Sequence, residues 1–285
     1  MVRKIFIDSR FRDSGTFANF QTTLKTAVVH PKCRAYIDQI HIPNVFPTIH
    51  VNNRHLYILE SWVTAGNPPQ GNFKKRKIPL TEGNYDLQTL GAELQTQLNA
   101  NTFFPTGNTY TVTHSTSTGK LTIALSGPNT PEAAIWSMQY LKGHRDLWTD
   151  VSSNTQVGVL VDDDDCYTAI GFTHDGILNV TTSASRTGNA HVSILPFHTL
   201  YLVNDFGLGS NEDSIGPRGG NILRSIVVNT GFGNMIHDQL QNPFDFTALE
   251  AGQLTSFGFA LRDIHGRDVP LNQGFSFSIL LVEEE

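Results

Sequence analysis

Near its carboxyl end the chain carries two alternations of apolar and small residues in close succession. Phe257, Phe259 and Leu261 alternate with Gly258, Ala260 and Arg262; Phe275, Phe277, Ile279 and Leu281 alternate with Gly274, Ser276, Ser278 and Leu280. Successive side chains of a strand point to opposite faces, so this period requires two strands, each with one buried face. The residues between them, Asp263 to Gln273, include Gly266 and Pro270 and read as a hairpin connection. That connection also gathers Asp263, His265 and Asp268, a cluster open to two readings. Asp accepts backbone hydrogen bonds in turns and Gly supplies positive φ, which makes a corner. A metal site or acid–base pair would need further ligands from elsewhere.

The first third repeats the strand signal. Lys4–Asp8, Phe20–Val29, Ala35–Val45 and His55–Val63 are β runs separated by turn residues, with Pro43 and Pro47 closing the third. After Gly66 the texture changes. A loop, GNPPQGN, leads to the basic run Lys74-Lys75-Arg76-Lys77, read as exposed. Leu87, Leu90, Leu94 and Leu98 then recur at helical spacing behind Asp86, a plausible N-cap. A hairpin follows at Tyr110–His114 and Lys120–Ser126, and Ala133–Leu141 reads as a second short helix. Alternation returns at His191–Leu195, His198–Val203 and Ile222–Val228, while Gly231–Ala251 looks irregular.

About eight substantial antiparallel strands give an all-β fold, a single jelly roll in the form of an eight-stranded β-sandwich, with an inserted small α+β domain. The expected divisions are 1–77 and 176–285 for the jelly roll and 78–175 for the insertion. An up-and-down barrel and an immunoglobulin-like sandwich share this strand count and stay open as rivals.

Composition restricts function more than fold. Charged residues make up 16% and the net charge is −6, so wrapping nucleic acid finds no global support. Two cysteines, Cys33 and Cys166, make no disulfide framework. The opening MVRKIFIDSRFRDSG lacks the apolar core of a signal peptide, and no run approaches the 18 apolar residues of a membrane span. A protein made and kept in the cytosol or nucleus is expected, and the sequon at Asn179 is read as chance.

The search for chemistry returns little. The histidines contain no HxH or HExxH pattern, and neither Cys belongs to a CxxC. The run Asp162–Asp165 offers carboxylates to a hard cation but lacks EF-hand spacing, and a solvated loop is the preferred reading. No nucleotide-binding or α/β-hydrolase signature occurs, and GPRGG at 216–220 reads as a flexible turn. Two basic groups, Lys74–Lys77 and Arg3, Lys4, Arg10 and Arg12, would meet packaged nucleic acid only if they share a face. No catalytic, cofactor or metal residue is assigned, and no enzyme is expected.

Ser9, Arg10, Ser14 and Phe20 at the start, Ile42-Pro43-Asn44, Gly83 and Tyr85 before the helix, and Leu261, Asp263, Gly266 and Leu271 at the end come in an informative order. That order resembles the minor capsid (penton) proteins of polinton/Maverick elements, adintoviruses and virophages, over about half the chain. The resemblance implies a single jelly roll forming a homopentamer at the fivefold vertices of an icosahedral shell, beside a double jelly-roll major capsid protein. It implies a place in the virion and no catalysis. On this reading Val2–Phe20 is an arm reaching adjacent capsomers, so that deleting residues 1–18 leaves a folded protein, and the insertion faces a host receptor or fibre. The alternative is a lectin-like carbohydrate-binding module using loop carboxylates and Trp62, Trp136 and Trp148. A metal-dependent jelly-roll enzyme ranks third.

Overall fold

The computed structural model describes residues 2–64, 70–100, 102–128, 130–137, 141, 156–157, 164–172, 177–206, 208 and 221–283. The chain divides into two compact units: unit 1, Met1–Phe46 with Phe197–Glu285, and unit 2, Pro47–Pro196. Unit 1 begins with β1 (Val2–Asp8), β2 (Ser14–Gly15), β3 (Asn19–His30) and β4 (Cys33–Pro43). Unit 2 contains β5 (His55–Thr64), β6 (Gln70–Pro79), α1 (Leu87–Asn99), β7 (Thr109–Ser115), β8 (Lys120–Ser126), β9 (Glu132–Trp136), β10 (Gln156–Val157), β11 (Ile177–Thr181) and β12 (Arg186–Thr187). Unit 1 resumes with β13 (Thr199–Phe206), β14 (Asn221–Val227), β15 (Met235–Gln239), β16 (Thr247–Leu249), β17 (Gly252–Arg262) and β18 (Ser276–Glu283).

The pairing in unit 1 identifies its topology. One sheet runs β1-β18-β4, with β15 and β16 end to end along the far side of β4. The other runs β14-β13-β17-β3-β2. Counting β15 and β16 as one interrupted strand and setting aside the two-residue β2 leaves eight strands. They pair antiparallel, first with last (β1·β18), second with seventh (β3·β17), third with sixth (β4·β15 and β4·β16) and fourth with fifth (β13·β14). This nesting is one long hairpin rolled across two sheets, which is a jelly roll. The all-β reading holds.

The core lies between the sheets. Ile5 and Ile7 of β1 and Phe277, Ile279 and Leu281 of β18 come from one sheet; Phe20 of β3 and Phe257, Phe259 and Leu261 of β17 come from the other. Phe259 meets Phe277 edge-on at 4.8 Å, and Phe20 meets Phe275 at 5.8 Å. Each fully buried Phe contributes about 1.5–3 kcal/mol.

Unit 2 is α+β. A five-stranded sheet, β10-β6-β5-β9-β11, and a three-stranded one, β12-β8-β7, share a core with α1, which buries Leu90, Leu94 and Leu98. Asp86 does cap the helix. Its Oδ1 accepts from the Thr89 amide at 2.7 Å, and its own amide donates to Thr89 Oγ1 at 3.0 Å, a reciprocal capping box.

Several expectations change. The structural division falls at 46/47 and 196/197 rather than at 77/78 and 175/176, because β5 pairs with β6 and β9, and β6 with β5 and β10, none of them strands of the jelly roll. Glu132–Trp136 is a strand, not the start of a helix, since β5 and β11 flank it on both sides. His191–Leu195 forms no strand, whereas the stretch read as irregular supplies β15 and β16. The amino-terminal segment is not a free arm. β1 pairs along its length with β18 and inserts Ile5 and Ile7 into the core, and the Ser9 amide donates to the Phe275 carbonyl. Removing residues 1–18 would strip a strand from the sandwich.

Candidate functional site

The Asp263 cluster forms a corner. Asp263 Oδ1 accepts from the His265 and Arg267 amides, both at 2.9 Å, and Oδ2 accepts from Arg267 Nε at 2.8 Å. The Asp263 amide donates to the Arg267 carbonyl, and Gly266 takes φ +71°, which favours glycine. Asp268 turns elsewhere, accepting from Asn19 Nδ2 at 2.9 Å and facing Arg262 Nε at 3.5 Å. His265 stays exposed. The two carboxylates thus serve different cations and amides. Among the described residues no group of three or more His, Cys, Asp or Glu is placed to hold a metal ion.

The polar groups of unit 2 behave against expectation. The basic run lies on β6, where Lys75 and Arg76 are buried. Arg76 Nη2 bonds Glu60 Oε1 at 2.5 Å and the Leu98 carbonyl at 2.9 Å, while Nη1 bonds the Ala100 carbonyl at 3.0 Å. The guanidinium therefore neutralises a carboxylate that is 0% exposed and closes the carboxyl end of α1. Glu60 accepts further bonds from Thr102 Oγ1, the Phe103 amide and Tyr110 Oη. Burial and that carboxylate push the Tyr110 hydroxyl well up, keeping it a neutral donor. Lys74 stands over the Phe103 ring at 4.6 Å. These cations form no free basic patch because the fold occupies them.

Of the acidic run, Asp162 and Asp163 lie outside the described residues, while Asp164 and Asp165 are buried rather than solvated. Asp164 accepts from Tyr57 Oη at 2.8 Å and Lys77 Nζ at 2.9 Å, and faces His55 Nδ1 at 2.6 Å. Burial pushes its carboxyl up, but the bonds from His55, Lys77 and Tyr57 outweigh that and hold it below its ordinary value. Tyr57 lies 107 residues from Asp164 in sequence, and His55 and Lys77 are similarly remote, which hid the network from sequence reading.

The amino-terminal cations are likewise engaged. Arg3 Nη1 donates to the Val29 carbonyl, Lys4 pairs with Asp38, Arg10 with Asp8, and Arg12 donates to the Ser9 and Gly15 carbonyls over the Phe17 ring. Trp62 packs edge-on against Phe104, and Trp136 is buried beside Tyr57. Trp148 and the 216–220 turn lie outside the described residues. Asn179 lies on β11. Cys33 and Cys166 are buried and form no disulfide, and burial pushes the Cys166 thiol up, away from reactivity.

What the fold leaves outward is surface. β1 and β14 each end one of the two jelly-roll sheets among the described residues, and edge strands of this kind template association. Phe6 on β1 is 71% exposed, Val2 on the same strand and Val227 on β14 are also exposed, and Phe11 and Phe244 project from adjoining segments. Phe6 falls in the segment read as an arm toward adjacent capsomers, and its place between Ile5 and Ile7 on β1 puts it on the face opposite the core.

No protein-family model matches the chain, and no curated protein matches it in sequence. Among solved structures, the mavirus penton protein aligns with 98% of this chain and 99% of its own at TM-score 0.51 and 10% identity. The cryo-EM structure of the Sputnik virophage aligns with 99% of this chain and 97% of its own at 13% identity, with a TM-score of 0.39, too low to argue from. The chain thus shares its fold, inserted unit included, with the mavirus penton protein.

Proposed function

We propose that this chain is a viral structural protein: a penton, or minor capsid, subunit that forms homopentamers at the fivefold vertices of an icosahedral capsid. The observation that carries the reading is the whole-length likeness to the mavirus penton protein, spanning both the jelly roll and the unit inserted between its third and fourth strands. The polar clusters agree with it. Asp263, Asp164 and Glu60 are consumed in a turn and in buried ion pairs, so the described residues work through shape and edges rather than through a reacting centre. Of the three tryptophans in the lectin reading, Trp62 and Trp136 pack internally, and Trp148 lies outside the described residues.

A ring requires a heterologous contact, one flank of a subunit against the opposite flank of the next. The outer edges of β1 and β14, with Phe6 and Val227, supply apolar surface for it. The double jelly-roll major capsid protein surrounds the ring, and unit 2 provides the surface for a host receptor or fibre. The subunit is made in the host cytosol and resides in the virion. The test is location: a gold-binding tag in the Thr116–Gly119 turn of unit 2, imaged on assembled particles, should decorate the vertices. Label spread over the facets, or absent from purified particles, would overturn the reading.

A further inference from the structure

In the first jelly-roll sheet β4 and β15 run antiparallel with His41 directly opposite His237. Their neighbours Ile40, Ile42 and Ile236 enter the core, so both imidazoles belong to the outward face, His237 exposed and His41 half-buried. Opposed residues on one face of an antiparallel pair hold their Cβ atoms about 4.5–5.5 Å apart, which brings two such rings into contact. The ring centroids stand 4.5 Å apart with planes inclined by 30°, and the two Nδ1 atoms are 3.0 Å from each other. Ser276 of β18 lies opposite His41 on its other side.

A 3.0 Å separation suits one N–H···N bond between neutral rings. It is also the spacing a metal imposes. Two imidazole nitrogens at roughly 2.0–2.1 Å from one ion stand about 2.9 Å apart at a right angle and about 3.3 Å apart at the tetrahedral angle. The strand ladder fixes both backbones, so binding orders two side chains and no loop, which lowers its entropic cost.

We propose that His41 and His237 form a two-imidazole surface site for a divalent transition metal ion of the copper, nickel and zinc class. Nitrogen ligands select these ions over calcium and magnesium, which take oxygen. No third His, Cys, Asp or Glu among the described residues joins the pair, so water fills the remaining positions. This site goes beyond the capsid role and does not rest on it.

The experiment is a Cu2+ titration of the full chain, read by calorimetry and by electron paramagnetic resonance at one equivalent. Wild type should show one site tighter than the rest, with hyperfine structure from two nitrogens. H41Q and H237Q should each weaken that site at least about tenfold, since the second ligand acts at high effective concentration once the first is bound. Each should also leave a single nitrogen in the spectrum. Both residues lie on the outward face, and H237Q, on the terminal strand, carries the test even if H41Q misfolds. Unchanged affinity and nitrogen count in H237Q, or a one-nitrogen wild-type spectrum, would overturn the proposal.

Discussion

Unit 1 and unit 2 are built from similar strands but handle charge in opposite ways. The jelly roll keeps its sandwich interior aliphatic and aromatic, and its carboxylates turn corners or pair near the surface, as Asp263 and Asp8 do. Unit 2 buries Glu60 with Arg76 at the carboxyl end of α1, and Asp164 with Lys77 and His55 beside Tyr57. A buried pair gains little net stability over an apolar pair of similar volume, yet it is costly to break, so it enforces one arrangement of β5, β6 and α1. The jelly roll needs no such lock, because nested strand pairing and an aromatic core already specify it.

The largest effect expected is in unit 1. Deleting residues 1–8 removes β1 and takes Ile5 and Ile7 from the core, a loss of about 3–6 kcal/mol at 1.5–3 kcal/mol per side chain. Urea denaturation should show it, and an unchanged midpoint would restore the idea of a free arm. Close behind, Glu60→Ala strands the Arg76 guanidinium and should cost unit 2 about 3–5 kcal/mol, read as faster amide exchange on β5 and β6. The sharper contrast is the joint replacement Glu60→Met with Arg76→Leu, which removes the stranded charge and should return part of that loss, the remainder staying with the Tyr110 hydroxyl and Phe103 amide that bonded Glu60. A double variant as unstable as Glu60→Ala would mean that the stranded charge is not the cause.

The same contrast governs what the sequence discloses. β4, β17 and β18 were legible because apolar residues alternate along one face, and β1 and β3 because they are rich in Ile, Val, Thr and Phe. β15 and β16 were not: they span five and three residues, and Asn and Gly residues flank them. β6 was hidden by its own cations, since nothing local tells a solvated KKRK from one neutralised by Glu60 and Asp164. β9 was read as helix because Ala133 and Ala134 favour helix where cross-strand neighbours decide otherwise. The Asp263 turn was legible because its partners are within four residues; the Asp164 network was not, because its partners are remote. The outward edges carry no motif at all, since an exposed Phe6 is defined only by the strand around it.

Two smaller predictions separate the units further. Gly266→Ala in the unit 1 turn forces a side chain into φ +71° and should cost roughly 1–2 kcal/mol, measured as a lowered thermal midpoint. In unit 2 the Asp164 carboxyl is depressed below its ordinary value of 3.8. A depressed folded-state carboxyl stabilises above the unfolded-state value, and that contribution disappears as pH falls through the folded one. Unit 2 should therefore lose stability below about pH 4, and Asp164→Asn should flatten that part of the profile measured by urea midpoints. An identical acid limb in the variant would remove Asp164 from the account.

The claim on which the functional account depends is fivefold association. Mass photometry of the purified protein, with class averages from negative stain, should find rings of five 31.5 kDa chains. Rings of any other order, or monomers that stay single even beside assembled major capsid protein, would contradict it.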